Sequence, residues 1–181
     1  PTLASYAIGE VCAQTLFEKG EAASSAVVAR TCTDALESVV EANTLLSGIG
    51  FESGGLALAH PVALAFTQID EIHQKYLHGE MVAMGTLIQL TLEGSVDAEK
   101  VARFFANIGL PIHMTQLSLS PNDSAAVNTI IEATLRNRNT RHMPMPVTHD
   151  SLRQAMLDAN KLGMAVTANV GDAAYRRLHT A

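Results

Sequence analysis

"GGLALAHPVALAF", residues 54–66, carries one histidine, His60, inside an apolar run, with Pro61 directly behind it. Eighteen positions later "KYLHGEMVAMG", residues 75–85, sets His78 at the head of a second apolar run. The two runs read as helices, from about Gly54 to Thr67 and from about Gly79 to Leu92. An imidazole in an apolar helix must have its nitrogens satisfied. A backbone carbonyl does this for an ordinary core histidine. Two imidazoles on adjacent helices with a short connection can also meet at one end of the pair, and paired neutral imidazoles suit Zn²⁺ or Fe²⁺. Eighteen residues is not a recognised ligand spacing, so the spacing leaves both readings open.

The flanks add detail. Gly79 lets a backbone or ligand approach His78 closely. Glu80 is either an acceptor behind a ligand or a first-turn carboxylate favoured by the helix dipole. Pro61 lacks a backbone donor and starts or kinks a helix.

Outward from these runs the pattern stays helical. Leu3, Ala7, Val11, Ala13, Leu16 and Phe17 recur at roughly helical spacing over 2–18, and "GEAA" at 20–23 breaks that run and opens a longer helix ending near Leu46. "SGIGFESGG", 47–55, reads as a turn or close-approach loop. After Gly94, Ser95 or Asp97 caps a helix running to Asn107, which "GLP" at 109–111 ends. Further helices are expected over 123–137, 149–161 and 164–178, with Leu152, Ala155, Met156 and Ala159 as a buried stripe and Gly163 as a terminator. "MTQLSLS", 114–120, alternates only weakly. The reading is all-α: one domain, 1–181, a bundle of about seven or eight helices.

Composition narrows the function. Hydrophobic residues at 48% against 17% charged favour a packed core over disorder. With a net charge of −6 and no basic stripe, nucleic-acid binding is not expected. The basic cluster "RNRNTRH", 136–142, reads as solvated surface, and so do His73, His113, His142, His149 and His179. Cys12 and Cys32 form no CxxC pair, which fits a reduced, cytoplasmic setting. No apolar run reaches the roughly 18 residues of a membrane span; Thr86, Gln89 and Thr91 interrupt the longest candidate, 81–92.

"EANTLLSGIGFESGGLALAH" (41–60), "YLHGEMVAMGTLIQLTLEG" (76–94) and "IGLP" (108–111) together resemble the C-terminal helical domain of glycerol dehydrogenases, members of the iron- or zinc-dependent, NAD-linked alcohol dehydrogenase family. The resemblance covers most of 5–115. It implies that His60 and His78 are two of three metal ligands, the third being an Asp, and that Phe51 stands beside the substrate pocket. "HP" at 60–61 also resembles the wider iron-dependent group. Many glycerol dehydrogenases carry a further His three residues after the first, then Asn-Gly, where this chain has Ala63, Leu64 and Ala65. The resemblance places the Asp ligand and the whole N-terminal nucleotide-binding domain, with its NAD site, upstream of Pro1; no glycine-rich phosphate loop occurs in this sequence.

The implied activity is oxidation of a polyol, glycerol, to a ketone of the dihydroxyacetone type with hydride transfer to NAD⁺. A divalent Zn or Fe would act as Lewis acid. The chain alone is expected to be inactive and to need a nucleotide-binding domain in cis or in trans. Homo-oligomerisation is implied by the same resemblance. The rival reading is a non-enzymatic helical assembly module, or one subunit of a split dehydrogenase.

Overall fold

The structure is a computed structural model describing residues 2–179. Among these residues the elements are helical throughout, with no strand. They are α1 (Leu3–Ala29), α2 (Asp34–Glu41), a π turn (Ala42–Leu46), α3 (Ser47–Gly54), α4 (Ala59–Phe66), α5 (Asp70–Lys75), α6 (His78–Leu92) and α7 (Ala98–Ile108). A 3₁₀ turn (Met114–Leu117), α8 (Ser124–Arg136), a second 3₁₀ turn (Arg138–His142), α9 (His149–Val170) and α10 (Ala173–His179) complete the chain. It divides into two compact units, Pro1–Leu56 and Ala57–Ala181.

The first unit is three helices with almost nothing inside. Thr2 and Ser5 cap α1 reciprocally, each side chain taking the other's backbone N–H at 3.2 and 2.9 Å. The helix expected to break at 20–23 runs on through Gly20 and stops at Arg30, whose φ of 53° is left-handed. The 47–55 stretch, expected as a loop, is helical as far as Gly54 and reverses only at Gly55, where φ is +80°. Isolated glycines disfavour a helix by about 1 kcal/mol each, and packing of α3 on α1 overrides that. The periodic apolar residues do make helices, but not a core. Ser5, Ala23, Ala26 and Ala42 are this unit's buried residues, while Leu3 is 93% and Val27 60% exposed.

The second unit has a continuous core. Val62 and Phe66 of α4, Met84, Leu87 and Ile88 of α6, Ile130 and Ile131 of α8, and Leu152 and Met156 of α9 are fully enclosed. Each such side chain contributes roughly 1.5–3 kcal/mol by leaving water. Pro61 sits in the first turn of α4, where its missing N–H would have had no intrahelical partner. The stripe at Leu152, Ala155, Met156 and Ala159 is buried as read. Gly163 does not end that helix. It is where α9 lies against the 110–118 segment, so close that a Cβ would overlap the Ile112 carbonyl oxygen. The two helices expected over 149–178 are there, but the break between them falls at Gly171, where φ is +81°, and not at Gly163, so the first is α9 (His149–Val170) and the second α10 (Ala173–His179). The weakly alternating stretch 114–120 opens with the 3₁₀ turn Met114–Leu117, held by two buried amides. Asn160 Oδ1 accepts from Met114 N at 2.9 Å, and Gln116 Oε1 accepts from Ile112 N at 2.8 Å. The short connection that carries His73 contains the helix α5.

Candidate functional site

The two histidines come together. The ring centroids of His60 and His78 lie 5.7 Å apart, tilted by 52°. His60 is in the first turn of α4 and His78 is the first residue of α6. Two contacts along α6 place the start of α4. Gly85 leaves room for the Ala59 backbone, and Gln89 Oε1 accepts from Ala59 N at 2.9 Å. Gln89 is itself oriented by donating from Nε2 to Glu93 at 2.9 Å.

The histidines are less enclosed than their apolar neighbours suggested. His60 is half-buried, and His78 is exposed at the head of its helix. Burial, then the neighbouring His78, lowers the His60 pKa from its ordinary value. That favours the neutral ring, the form a metal takes. Among the described residues no group of three His, Cys, Asp or Glu side chains is placed to hold an ion. The pair fits a metal as a partial donor set, two imidazoles with open positions between them and solvent. Phe51 lies on α3 in the first unit, 53% exposed.

A second cluster, unread in the sequence, begins two residues after His78. Glu80 does serve α6 as a first-turn carboxylate: its Oε2 accepts from Leu77 N at 2.7 Å. Its Oε1 pairs with Nε2 of His179, and the two side chains are only 12% and 15% exposed. His179 Nδ1 lies 2.7 Å from the Tyr175 carbonyl, and its ring stacks on Tyr175 with centroids 3.9 Å apart. The Tyr175 hydroxyl donates to the Gln116 carbonyl. Burial above all, then the Tyr76 hydroxyl and the Glu80 charge, push the Tyr175 phenol far up, so it stays a donor. His179 is thus no surface histidine, and the carboxylate meets it across 99 positions of sequence. No local signal marks that pairing.

His113, also read as surface, is half-buried with Thr115 Oγ1 at 2.7 Å from Nδ1. His73, His142 and His149 are exposed, as are Arg136, Arg138 and Arg141 of the basic cluster. Cys12 and Cys32 are free thiols. No single helix is long and apolar enough to cross a membrane.

No protein-family model matches the chain. A glycerol dehydrogenase from Citrobacter freundii is 42% identical over 165 residues, 90% of this chain and 45% of that protein. A glycolaldehyde reductase from Halobacterium salinarum is 40% identical over 169 residues, 92% of this chain and 46% of its own length. Among solved structures, glycerol dehydrogenase from Schizosaccharomyces pombe superposes with a TM-score of 0.88 at 33% identity, covering 94% of this chain and 44% of that one. The chain spans about half the length of the curated relatives it matches, corresponding to their C-terminal part. Over the residues it shares with them, this all-helical chain belongs to the glycerol dehydrogenase family.

Proposed function

We propose that this chain is the metal-binding half of an NAD-dependent polyol dehydrogenase, with His60 and His78 as two ligands of a Zn²⁺ or Fe²⁺ ion. The observation that carries the reading is the 5.7 Å approach of the two rings. Relatives named glycerol dehydrogenase support the substrate class. A bound divalent metal supplies Lewis acidity toward a polyol hydroxyl. The chain's own contribution is placement. Gly85 and Gln89 hold the first turn of α4, which places the His60 backbone, and the lowered proton affinity of its ring leaves a lone pair free. Net oxidation of glycerol yields a ketone of the dihydroxyacetone type, one hydride passing to NAD⁺ and one proton to water. The remaining carboxylate ligand and the NAD site belong to a part of the dehydrogenase outside residues 1–181, in cis or in trans, so the isolated chain is inactive. Phe51 borders the substrate pocket in the assembled enzyme, and the setting is cytoplasmic.

Calorimetric titration with Zn²⁺ tests the ligand pair. One ion should bind per chain, weakly, and either His60→Ala or His78→Ala should abolish it; binding retained in both variants refutes the pair. Mixing the chain with the complementary part of a close relative, plus Zn²⁺, glycerol and NAD⁺, should generate NADH with the parent and not with His78→Ala.

One observation favours assembly as a further role. The first unit leaves Leu3, Tyr6, Val27, Val28 and Phe51 more than half exposed, which suits a homo-oligomeric contact or the missing domain. Analytical ultracentrifugation of the chain alone separates these, since a monomer rules out self-association through this unit.

A further inference from the structure

We propose that His179 is a positioning residue for His78, acting through Glu80. The carboxylate of Glu80 ties the backbone just before His78 to a side chain of α10. One oxygen takes the amide of Leu77, the residue before His78, and the other takes the ring of His179 on α10. The first turn of α6 is where a helix frays, because its amides lack intrahelical acceptors. Leu77, at the cap position, has no side-chain acceptor to offer. Glu80 instead supplies the reciprocal half of a cap, its carboxylate taking the Leu77 amide itself, and His179 keeps that carboxylate oriented to do so.

The proton inventory supports this direction of action. The Tyr175 carbonyl can only accept, so His179 Nδ1 carries a proton. The other ring nitrogen, Nε2, is hydrogen-bonded to Glu80 Oε1. Both partners are mostly shielded from water, so removing one leaves the other without its hydrogen-bond partner in a poorly solvated place. The other end of the device is anchored independently. Tyr175 donates to Gln116, in the 3₁₀ turn that Asn160 and Gln116 hold against α9. α10 also rests on Gly109, where a Cβ would stand 2.7 Å from Leu178 Cδ1 and 2.8 Å from the Ala174 carbonyl oxygen. The core of the second unit therefore reaches the His78 backbone through α10, the last helix of the described chain.

The lock follows from the geometry alone; its consequence for metal rests on His78 being a ligand. The test uses the full chain with His179→Ala, His179→Gln and Tyr175→Phe. α10 has no buried residue, so these changes leave the core folded, which far-UV circular dichroism and thermal melting verify. In His179→Ala, amide exchange at residues 77–81 should quicken on the order of tenfold, as loss of one charge-assisted hydrogen bond allows, and the His78 ring proton resonances should shift and broaden. Gln at 179 retains a donor and should restore both. Tyr175→Phe keeps the stack, loses the anchor and should fall between. Co²⁺ affinity should drop several-fold in His179→Ala and recover in His179→Gln. Unchanged exchange and unchanged His78 resonances in His179→Ala overturn the proposal, as does a Gln variant that behaves like Ala. Faster exchange with Co²⁺ affinity at the parental value reduces His179 to a stabilising residue and also overturns it. If the parent chain binds Co²⁺ without dependence on His60 or His78, the metal reading fails, and positioning is decided by the exchange and ring resonances.

Discussion

Gly85 of α6 faces Ala59 at the start of α4 so closely that a Cβ there would overlap the Ala59 carbonyl oxygen and approach its Cα to 3.2 Å. The obstacle is backbone, which cannot swing aside as a side-chain tip would. The residue after Ala59 is His60, so the small size of residue 85 sets how near one imidazole comes to α6. Gly85→Ala should therefore cost about 1–3 kcal/mol of stability, the range for overpacking, and weaken Zn²⁺ binding. Urea unfolding and calorimetry measure the two effects; an unaltered midpoint would mean that α4 relaxes freely.

Gly163 presents a more severe case. A Cβ at that position would overlap the Ile112 carbonyl oxygen and lie 3.0 Å from the His113 Cβ. Gly163→Ala should destabilise by about 3 kcal/mol, the upper end of the same range, although alanine is the better helix former. Helical content should stay constant while the melting temperature falls. A stabilised variant would show that residue 163 matters only for propensity.

Acid should destabilise the second unit through His113. Burial lowers the pKa of this ring, partly offset by the Asp172 charge. The folded state thus takes up its proton at lower pH than the unfolded chain, whose histidine titrates near 6.5. Stability from the neutral ring is complete above about 6.5 and declines as pH falls below it. His113→Gln should flatten that decline in urea midpoints taken across pH 7 to about 5; an equally steep decline would place the acid sensitivity elsewhere, His60 being the next group lowered by burial.

Amide exchange should separate the two units. Protection follows buried packing, and the enclosed side chains lie on α4, α6, α8 and α9 while α1 to α3 bury only small residues. Amides in α1–α3 should exchange orders of magnitude faster than those of the core helices in the isolated chain. Equal protection would require a core in the first unit, formed by association.

Much of the helical layout was legible from local pattern. The stripe from Leu152 to Ala159, the stop at "GLP" and the helix expected from 123, found as α8 from Ser124, all depend on neighbours within a turn or two. Glycines were harder. Gly94 and Gly109 do end helices at positive φ, but Gly20 and Gly163 are passed through. Sequence alone does not distinguish a glycine chosen for its backbone freedom from one chosen for lacking a Cβ, because that depends on what packs opposite.

The sequence by itself determined that the chain would be built from helices, and it marked His60 and His78 through their apolar surroundings and family resemblance. Their helical state follows from spacing and capping, which act over three or four residues. Tertiary structure alone decided which apolar stripes find a partner, leaving Val27 exposed and Leu152 buried. It also decided that His78 stands at an exposed helix head, and that Glu80 meets His179. Burial and long-range hydrogen bonding are properties of whichever distant segment arrives opposite a residue, and residues 80 and 179 acquire each other only when α10 settles on the packed core.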